Sequence, residues 1–340
     1  MAWLLFFALI LDAVLGEPEW LWSRVRHPAV LMGNFISTCT KRLNSGANRK
    51  QKGIAVLLLG LSIAMGLGFL LSLLGPIFET LIAASLLAHK SLVQHVIAVA
   101  KGLRLSLTQG RNAISRIVGR DTSQMNIAQI SRAGIESGAE NFSDGVVAPA
   151  FYFLIGGLPG MLLYKFTNTA DSMIGYKTKE LQEFGWAAAR FDDLLNFIPA
   201  RLSAAIILLV SGHWSGLSKL SENAKTHASP NAGWPEAAMA LALNVALAGP
   251  RSYHGRLTDF AWIHPSGNRH PDAYEIERSV DILWKSWAAL LALVVISAIL
   301  STTVHYQGSN REGKGGRNAL YKLDSHPPCK RCDTQPASAL

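Results

Sequence analysis

GIAVLLLGLSIAMGLGFLLSLLGPIF, residues 53–78, contains no Asp, Glu, Lys or Arg. A helix needs about 20 apolar residues to cross the ~30 Å hydrocarbon core of a bilayer, so this stretch predicts a transmembrane helix. Residues 286–304 predict a second, with Trp284 and Trp287 at its start, where amphipathic rings favour the membrane interface. The first eleven residues are uncharged, but Asp12 and then Glu17-Pro18 interrupt them; a signal peptide would open on a basic segment that is missing here. Residues 77–100 are apolar yet carry Glu79, His89, Lys90 and His95, which predicts a span facing protein or a buried helix. Residues 145–164 are uncharged but broken by Pro149, Gly156-Gly157 and Pro159-Gly160, and 202–217 and 237–250 are uncharged but short. Broken backbone is tolerated at membrane depth only where protein or a water-filled cavity covers it. The expected fold class is therefore all-α: a polytopic integral membrane protein with four to seven apolar helices, some broken or re-entrant. Residues 1–304 are expected to form one membrane-embedded catalytic domain, and 305–340 a basic, disordered tail.

The whole chain agrees with that reading. Of 340 residues 49% are hydrophobic and 16% charged, against about 25% charged in soluble domains. Three cysteines cannot make a disulfide scaffold, and a chain this apolar is not intrinsically disordered. The net charge is +9, and residues 23–52 hold seven of the basic residues with no acid, which predicts a cytoplasmic loop. The charge is thus topological, and no nucleic-acid partner is expected.

Residues 120–201 depart from the rest. They hold nine acids (Asp121, Glu136, Glu140, Asp144, Asp171, Glu180, Glu183, Asp192, Asp193) against seven bases, a local charge of −2 in a chain of +9. Acids between apolar segments cost desolvation unless paired or bound to a cation, so this window marks a functional site. Arg120-Asp121-Thr122-Ser123 suits a turn or helix cap. Arg132, Glu136 and Glu140 are spaced i, i+4, i+8 along one helical face, with Asn141 and Asp144 beyond. This spacing suits either surface ion pairs or Mg²⁺ ligation. Asn168 and Asp171 share a side if helical, flanked by Lys165 and Lys177 with charge suited to phosphate. Asp192, Asp193 and Asn196 offer oxygens on one short helix, after Arg190 and before Arg201. Adjacent carboxylates repel, and a cation eases that repulsion. Together the four pieces predict Mg²⁺ and phosphate chemistry at a cytoplasmic membrane face.

Two motifs are set aside. Gly308 to Gly313-Lys314 has nucleotide-loop spacing, but Gly315 stands where a Ser or Thr should bind Mg²⁺. Cys329 and Cys332 resemble half a zinc site with no second pair to complete it.

Longer strings carry a resemblance. LDAVLGEP (11–18), HPAVLMG (27–33), GRDTS (119–123), AGIESGAENFSDGVVAP (133–149), the stretch 164–201 with NT, DSMIGY, AR, DD and PAR in order, and SPNAGWPE (229–236) resemble the membrane-bound cobinamide(-phosphate) synthase family of cobalamin biosynthesis. The resemblance covers residues 11–253. It departs at Asn244-Val245-Ala246, where a Gly- and Arg-containing stretch is expected, and the tail from His305 matches nothing.

The resemblance implies ATP-dependent attachment of an aminopropanol, free or as its O-phosphate, to a propionate carboxylate of adenosylcobyric acid, giving adenosylcobinamide or its phosphate. It implies ATP and Mg²⁺, a corrinoid partner, a lipid bilayer around the chain, other membrane enzymes of late cobalamin assembly as partners, and a place in the cytoplasmic (inner) membrane with the site facing the cytoplasm. On that reading Glu136, Glu140, Asp144, Asp171, Asp192 and Asp193 supply Mg²⁺ oxygens, and Asp171, Asp192, Asp193 and Glu140 the catalytic acids. Arg120, Lys165, Lys177, Arg190, Arg201 and Asn168 hold phosphate. The corrinoid requires an open cavity, expected to be roofed by residues 156–160 and Trp234. A full crossing at 145–164 would separate the Arg120 and Asp192 windows across the membrane, so a re-entrant segment is expected there. The alternatives are a Mg²⁺-dependent membrane prenyl or CDP-alcohol transferase built on Asp192-Asp193, and a secondary transporter.

Overall fold

The computed structural model describes residues 1–253 and 256–323, without the side chains of 19, 21, 251–258 and 304–323. The chain is almost wholly helical. The elements before the acidic window are α1 (Ala2–Leu15), α2 (Glu19–Trp22), α3 (Pro28–Leu43), α4 (Arg49–Ser72), α5 (Pro76–Leu86), α6 (His89–Leu105) and α7 (Leu107–Ile114). The window itself forms α8 (Ile127–Phe142), a π-turn (Ser143–Val147), α9 (Ala148–Ile174), α10 (Trp186–Leu195) and α11 (Phe197–Ser211). After it come α12 (Leu217–Ala224), α13 (Gly233–Leu243) and α14 (Ala273–Leu323), with two small antiparallel ribbons, β1 (Leu247–Ala248) with β4 (Trp262–Ile263) and β2 (Arg251–Tyr253) with β3 (Arg256–Thr258). Residues 1–295 form one compact unit and the described residues from 296 on a second. α14 carries on past residue 304, where the sequence places the end of the domain. The Gly308–Lys314 spacing lies inside that helix, and Cys329 and Cys332 fall outside the described residues.

Among the described residues four helical stretches are long and apolar enough to cross a membrane: Arg49–Ser72, Pro76–Leu105, Ile127–Ile174 and Ala273–Thr303. The pair α10–α11 is bent by 46° and passes the same test only when its two helices are taken together, as a broken span or a re-entrant segment. This is the polytopic helical class expected from composition.

The third stretch is not one straight rod. At Gly157 the backbone takes φ 60, ψ −155, a conformation open to glycine, and Pro159 follows where an interior amide would be missing. The chain doubles back there. Tyr152 and Tyr164 stack with ring centroids 5.3 Å apart, whereas 12 residues of straight helix would separate them by about 18 Å. Asn168 likewise reaches Asp144, 24 residues earlier. Both arms of the hairpin therefore open on the same side, as the re-entrant reading requires, although the return arm runs on to Ile174.

α4 fixes the depth of this hairpin. Gly53, Gly60 and Gly68 of α4 lie against Phe184, Phe166 and Pro159 with no room for a Cβ, so α4 and the return arm of α9 run antiparallel at close range. The hairpin tip thus sits level with Gly68, near the far end of α4. The Asn168 end sits near Gly60, about 10 Å on the apolar side of Gly53 and the basic residues before it. Residues 156–160 pack at the tip against Gly68, Met1 and Glu79. They cannot roof a cavity at the other end, which corrects that expectation. The unpaired backbone of a bent hairpin needs cover, and α1, α4 and α5 supply it.

Candidate active site

Where the hairpin opens, α8, α9 and α10 bring polar groups together at membrane depth. The π-turn at Ser143–Val147 inserts a wider turn just after α8, and such bulges recur at functional sites. Asp144 lies in it, accepting a hydrogen bond on Oδ2 from Asn168 Nδ2 at 3.3 Å. Across from it, Asp192 Oδ2 accepts from Asn196 Nδ2 at 2.9 Å. Asn196 is held in that orientation by Tyr164, whose hydroxyl donates to Asn196 Oδ1 at 2.9 Å. Tyr164 is fully buried under Tyr152, which in turn donates to the Leu195 carbonyl at 2.9 Å. Asp192 is 9% exposed, and its Oδ1 is buried without a hydrogen-bond partner among the described residues.

Lys165 stands between Asp144 and two acids from the N-terminal motif, Asp12 and Glu17. Among the described residues it makes no hydrogen bond or ion pair, so its ammonium is available to a ligand. Asp171 faces Asp192 and Asp193. Arg190 Nη1 lies 3.8 Å from Asp193 Oδ2, with Lys177 on the same side; both bases are exposed, at the rim. Arg201 is clamped between the rings of Phe197 (3.7 Å) and Trp234 (4.4 Å) and donates to Asn231 Oδ1 at 3.2 Å. Asn231 donates to the Asp193 carbonyl at 2.7 Å. The SPNAGWPE string therefore buttresses the Asp193 end of the site, and Trp234 acts there through Arg201. Beside Asp144, Lys165 and Asn168 a cavity of about 820 Å³ opens, bounded also by Ser91, His95 and Asn141.

The N-terminal strings LDAVLGEP and HPAVLMG supply polar groups that tie separate segments together. Asp12 Oδ2 accepts from the backbone amide of His89 at 2.9 Å and so caps the start of α6 from another helix. Glu17 Oε1 accepts from Ser91 Oγ at 2.9 Å. His27 accepts from the Ala29 amide on Nδ1, so its Nε2 carries the proton and donates to the Ser85 carbonyl at 3.0 Å. Burial lowers the His27 pKa below the ordinary histidine value, which favours this neutral form. Sequence spacing shows an acid and a histidine in these strings but not the backbone groups they meet.

One part of the expected site is divided. Arg120 and Glu136 do not join the Asp144 group. Arg120 Nη2 lies 3.6 Å from Glu136 Oε2, and Glu136 Oε1 accepts from the Ala248 amide at 2.7 Å. Ala248 holds φ 58, a strained value for a non-glycine residue, and the carboxylate helps pin it. Arg132 donates to the Arg269 carbonyl at 3.0 Å and packs on Trp262. These groups line a separate cavity of about 460 Å³. Along α8, Glu136 and Asp144 are two turns or about 12 Å apart. Glu140, one turn before Asp144, is close enough to feel its charge. Among the described residues no three His, Cys, Asp or Glu side chains form a ready-made metal cage. The six acids expected to share a metal cluster therefore do not converge as one.

The protein is thus a helical membrane protein with a buried acid–lysine cleft at one end of a hairpin. The family described as CobD/Cbib protein matches residues 5–283, and the chain belongs to that family. It is 44% identical to a cobalamin biosynthesis protein CobD of Sinorhizobium fredii over 306 residues, 85% of this chain and 94% of that protein. It is 42% identical to the protein of the same name from Brucella suis over 320 residues, 88% and 98% of the two chains. With the one from Halalkalibacterium halodurans it shares 41% over 304 residues, 85% and 94%. No solved structure matches.

Proposed function

We propose that the chain acts in cobalamin biosynthesis as an ATP- and Mg²⁺-dependent ligase of the cytoplasmic membrane. It would join aminopropanol or its O-phosphate to a propionate carboxylate of adenosylcobyric acid. The family supports the pathway, and one observation carries the chemistry: Lys165, in no ion pair among the described residues, lines a cavity with Asp144, and Asp144 lies within reach of the charge of Asp192, whose Oδ1 is buried without a partner among the same residues.

A carboxylate does not acylate an amine at neutral pH, because its oxygen leaves poorly. In the proposed reaction a propionate oxygen attacks the γ-phosphorus of ATP, ADP departs, and an acyl phosphate results. The amine nitrogen then attacks the acyl carbon, inorganic phosphate leaves, and one proton passes from nitrogen to a base. Asp144 lines the cavity and Glu140 stands one turn before it, so these are the acids placed to take that proton. Lys165 would hold the transferring phosphoryl oxygens as a point charge, with Lys177 and Arg190 meeting the nucleotide at the rim.

The donor set suits Mg²⁺. That ion prefers hard oxygens and takes one or two protein carboxylates with phosphates and waters completing the shell. Asp192 through its unpaired Oδ1, with Asp171 or Asp193, would supply them, so no three-carboxylate cage is needed. Mg²⁺ bound there would neutralise phosphate charge. Asn168 and Asn196 hold Asp144 and Asp192 in place, and Arg201 steadies the Asp193 backbone through Asn231. The basic residues at 23–52 support a cytoplasmic opening, the side on which ATP is present.

The test is purified protein in detergent with adenosylcobyric acid, ATP, Mg²⁺ and each amine in turn, read by mass spectrometry. An amide product that depends on ATP is expected; its absence with both amines overturns the reading.

A further inference from the structure

The second cavity differs in kind from the acid–lysine cleft. Its acids are already engaged. Glu136 accepts from the Ala248 amide and faces Arg120, while Asp121 accepts from the Ser123 amide at 2.8 Å. Its donors are not. Arg120 has a side chain only 10% exposed, yet its one charged contact is at 3.6 Å, and it makes no hydrogen bond among the described residues. A guanidinium carries five N–H donors, and leaving them unfilled in a buried place is costly. Gln129, also in the lining, accepts the Asn126 amide on its Oε1 in the capping box of α8, and its amide NH₂ meets no hydrogen-bond acceptor among the described residues. The cavity therefore holds, at Arg120, N–H donors that the described residues do not fill.

We infer that this cavity is a second binding site, separate from the cleft at Asp144, for an oxyanion of the phosphate class with Arg120 as its principal anchor. A tetrahedral oxyanion has only acceptors and several of them, so it complements a planar fork of N–H groups beside an amide NH₂. The two spaces lie on successive turns of α8, because Glu136 borders one and Ser137 and Asn141 the other. Under the ligase reading, on which only the ligand's source depends, the oxyanion belongs either to a phosphorylated amine or to the nucleotide. The site itself stands on the geometry of Arg120.

The experiment is calorimetric titration of the full chain in detergent with inorganic phosphate, aminopropanol O-phosphate, free aminopropanol and ATP without metal. Inorganic phosphate and at least one phosphorylated compound are expected to bind saturably, and free aminopropanol not to bind. R120Q should weaken phosphate binding at least tenfold, and R120K, which keeps the charge but loses the fork, should fall between. Loss of aminopropanol O-phosphate binding in R120Q with ATP unaffected assigns the site to the amine; the reverse assigns it to the nucleotide. No saturable phosphate binding by the unaltered chain overturns the inference even if R120Q fails to fold. Unchanged binding in a folded R120Q, with the melting temperature kept, overturns it as well. Phosphate binding without amide formation would leave this site standing and remove the ligase reading, whereas amide formation without phosphate binding does the opposite.

Discussion

The buried carboxylates of this fold are used in two different ways. Glu136 and Asp12 each accept a backbone amide, from Ala248 at 2.7 Å and from His89 at 2.9 Å. Each ties one segment of chain to another. Among the described residues, Asp192 keeps one oxygen for Asn196 and leaves the other buried without a partner, while Lys165, beside Asp144, is in no ion pair. A carboxylate that spends its lone pairs on backbone donors is a fastener, while one with an unfilled oxygen in a desolvated place is held ready for something absent from the fold. Buried polar groups left unsatisfied are costly, so they persist where a ligand completes them.

This contrast can be broken most directly at Asp192. Asp192→Asn retains shape and the contact with Asn196 but removes the charge. Turnover in the amide assay should fall by about 10²–10³-fold, the scale of losing one electrostatic contact to a reacting phosphoryl or acyl group. The melting temperature should hold or rise, since a buried charge is relieved. A rate near that of the unaltered protein would place the chemistry elsewhere. Lys165→Met should come next, with turnover lowered about 10²-fold and the loss partly restored by Lys165→Arg. Equal damage from both substitutions would mean that Lys165 acts through packing and not through charge.

Glu136→Gln tests the fastening side. It keeps an oxygen for the Ala248 amide but removes the counter-charge of Arg120, and should lower unfolding stability by about 1–3 kcal/mol, the range for a hydrogen bond to a charged group. The rate at saturating ATP should change less than twofold. A large rate loss with unchanged stability would move Glu136 into the reacting group and erase the distinction.

Much of the polar group at the mouth of the hairpin was legible from spacing. Asp192 and Asn196 at i, i+4 do share a face, and Asn168 is one turn beyond Lys165 and Tyr164 as a helix requires. Charge composition alone marked residues 120–201 as unlike the rest of the chain. The broken stretch 145–164 announced a hairpin through its glycines and prolines, because Gly157 must adopt a backbone that other residues resist. The partition of α8 was not legible. The i, i+4, i+8 spacing puts Arg132, Glu136 and Glu140 on one face but cannot say what covers each turn. Ala248 and Arg120 cover the first and the hairpin the second, and both arrive from distant sequence. The same holds for Asp12, whose partner amide is 77 residues away.

Asp12 also gives the most delicate test. It borders the cleft through Lys165, so proximity alone would count it among the reacting acids. Its hydrogen bond to the first amide of α6 counts it among the fasteners, because the N-terminal turn of a helix has amides with no intrahelical acceptor. Asp12→Asn can keep the cap through its side-chain oxygen while losing the favourable charge at the helix start. The expected cost is about 0.5–1 kcal/mol of unfolding stability, read as a small fall in melting temperature in detergent. Asp12→Ala, which loses the acceptor too, should cost up to about 2 kcal/mol. In both variants the rate per folded molecule should stay within a few-fold of the unaltered chain. Should Asp12→Asn instead abolish turnover while melting normally, the rule that separates engaged from unengaged carboxylates fails at the residue where the two roles lie closest together.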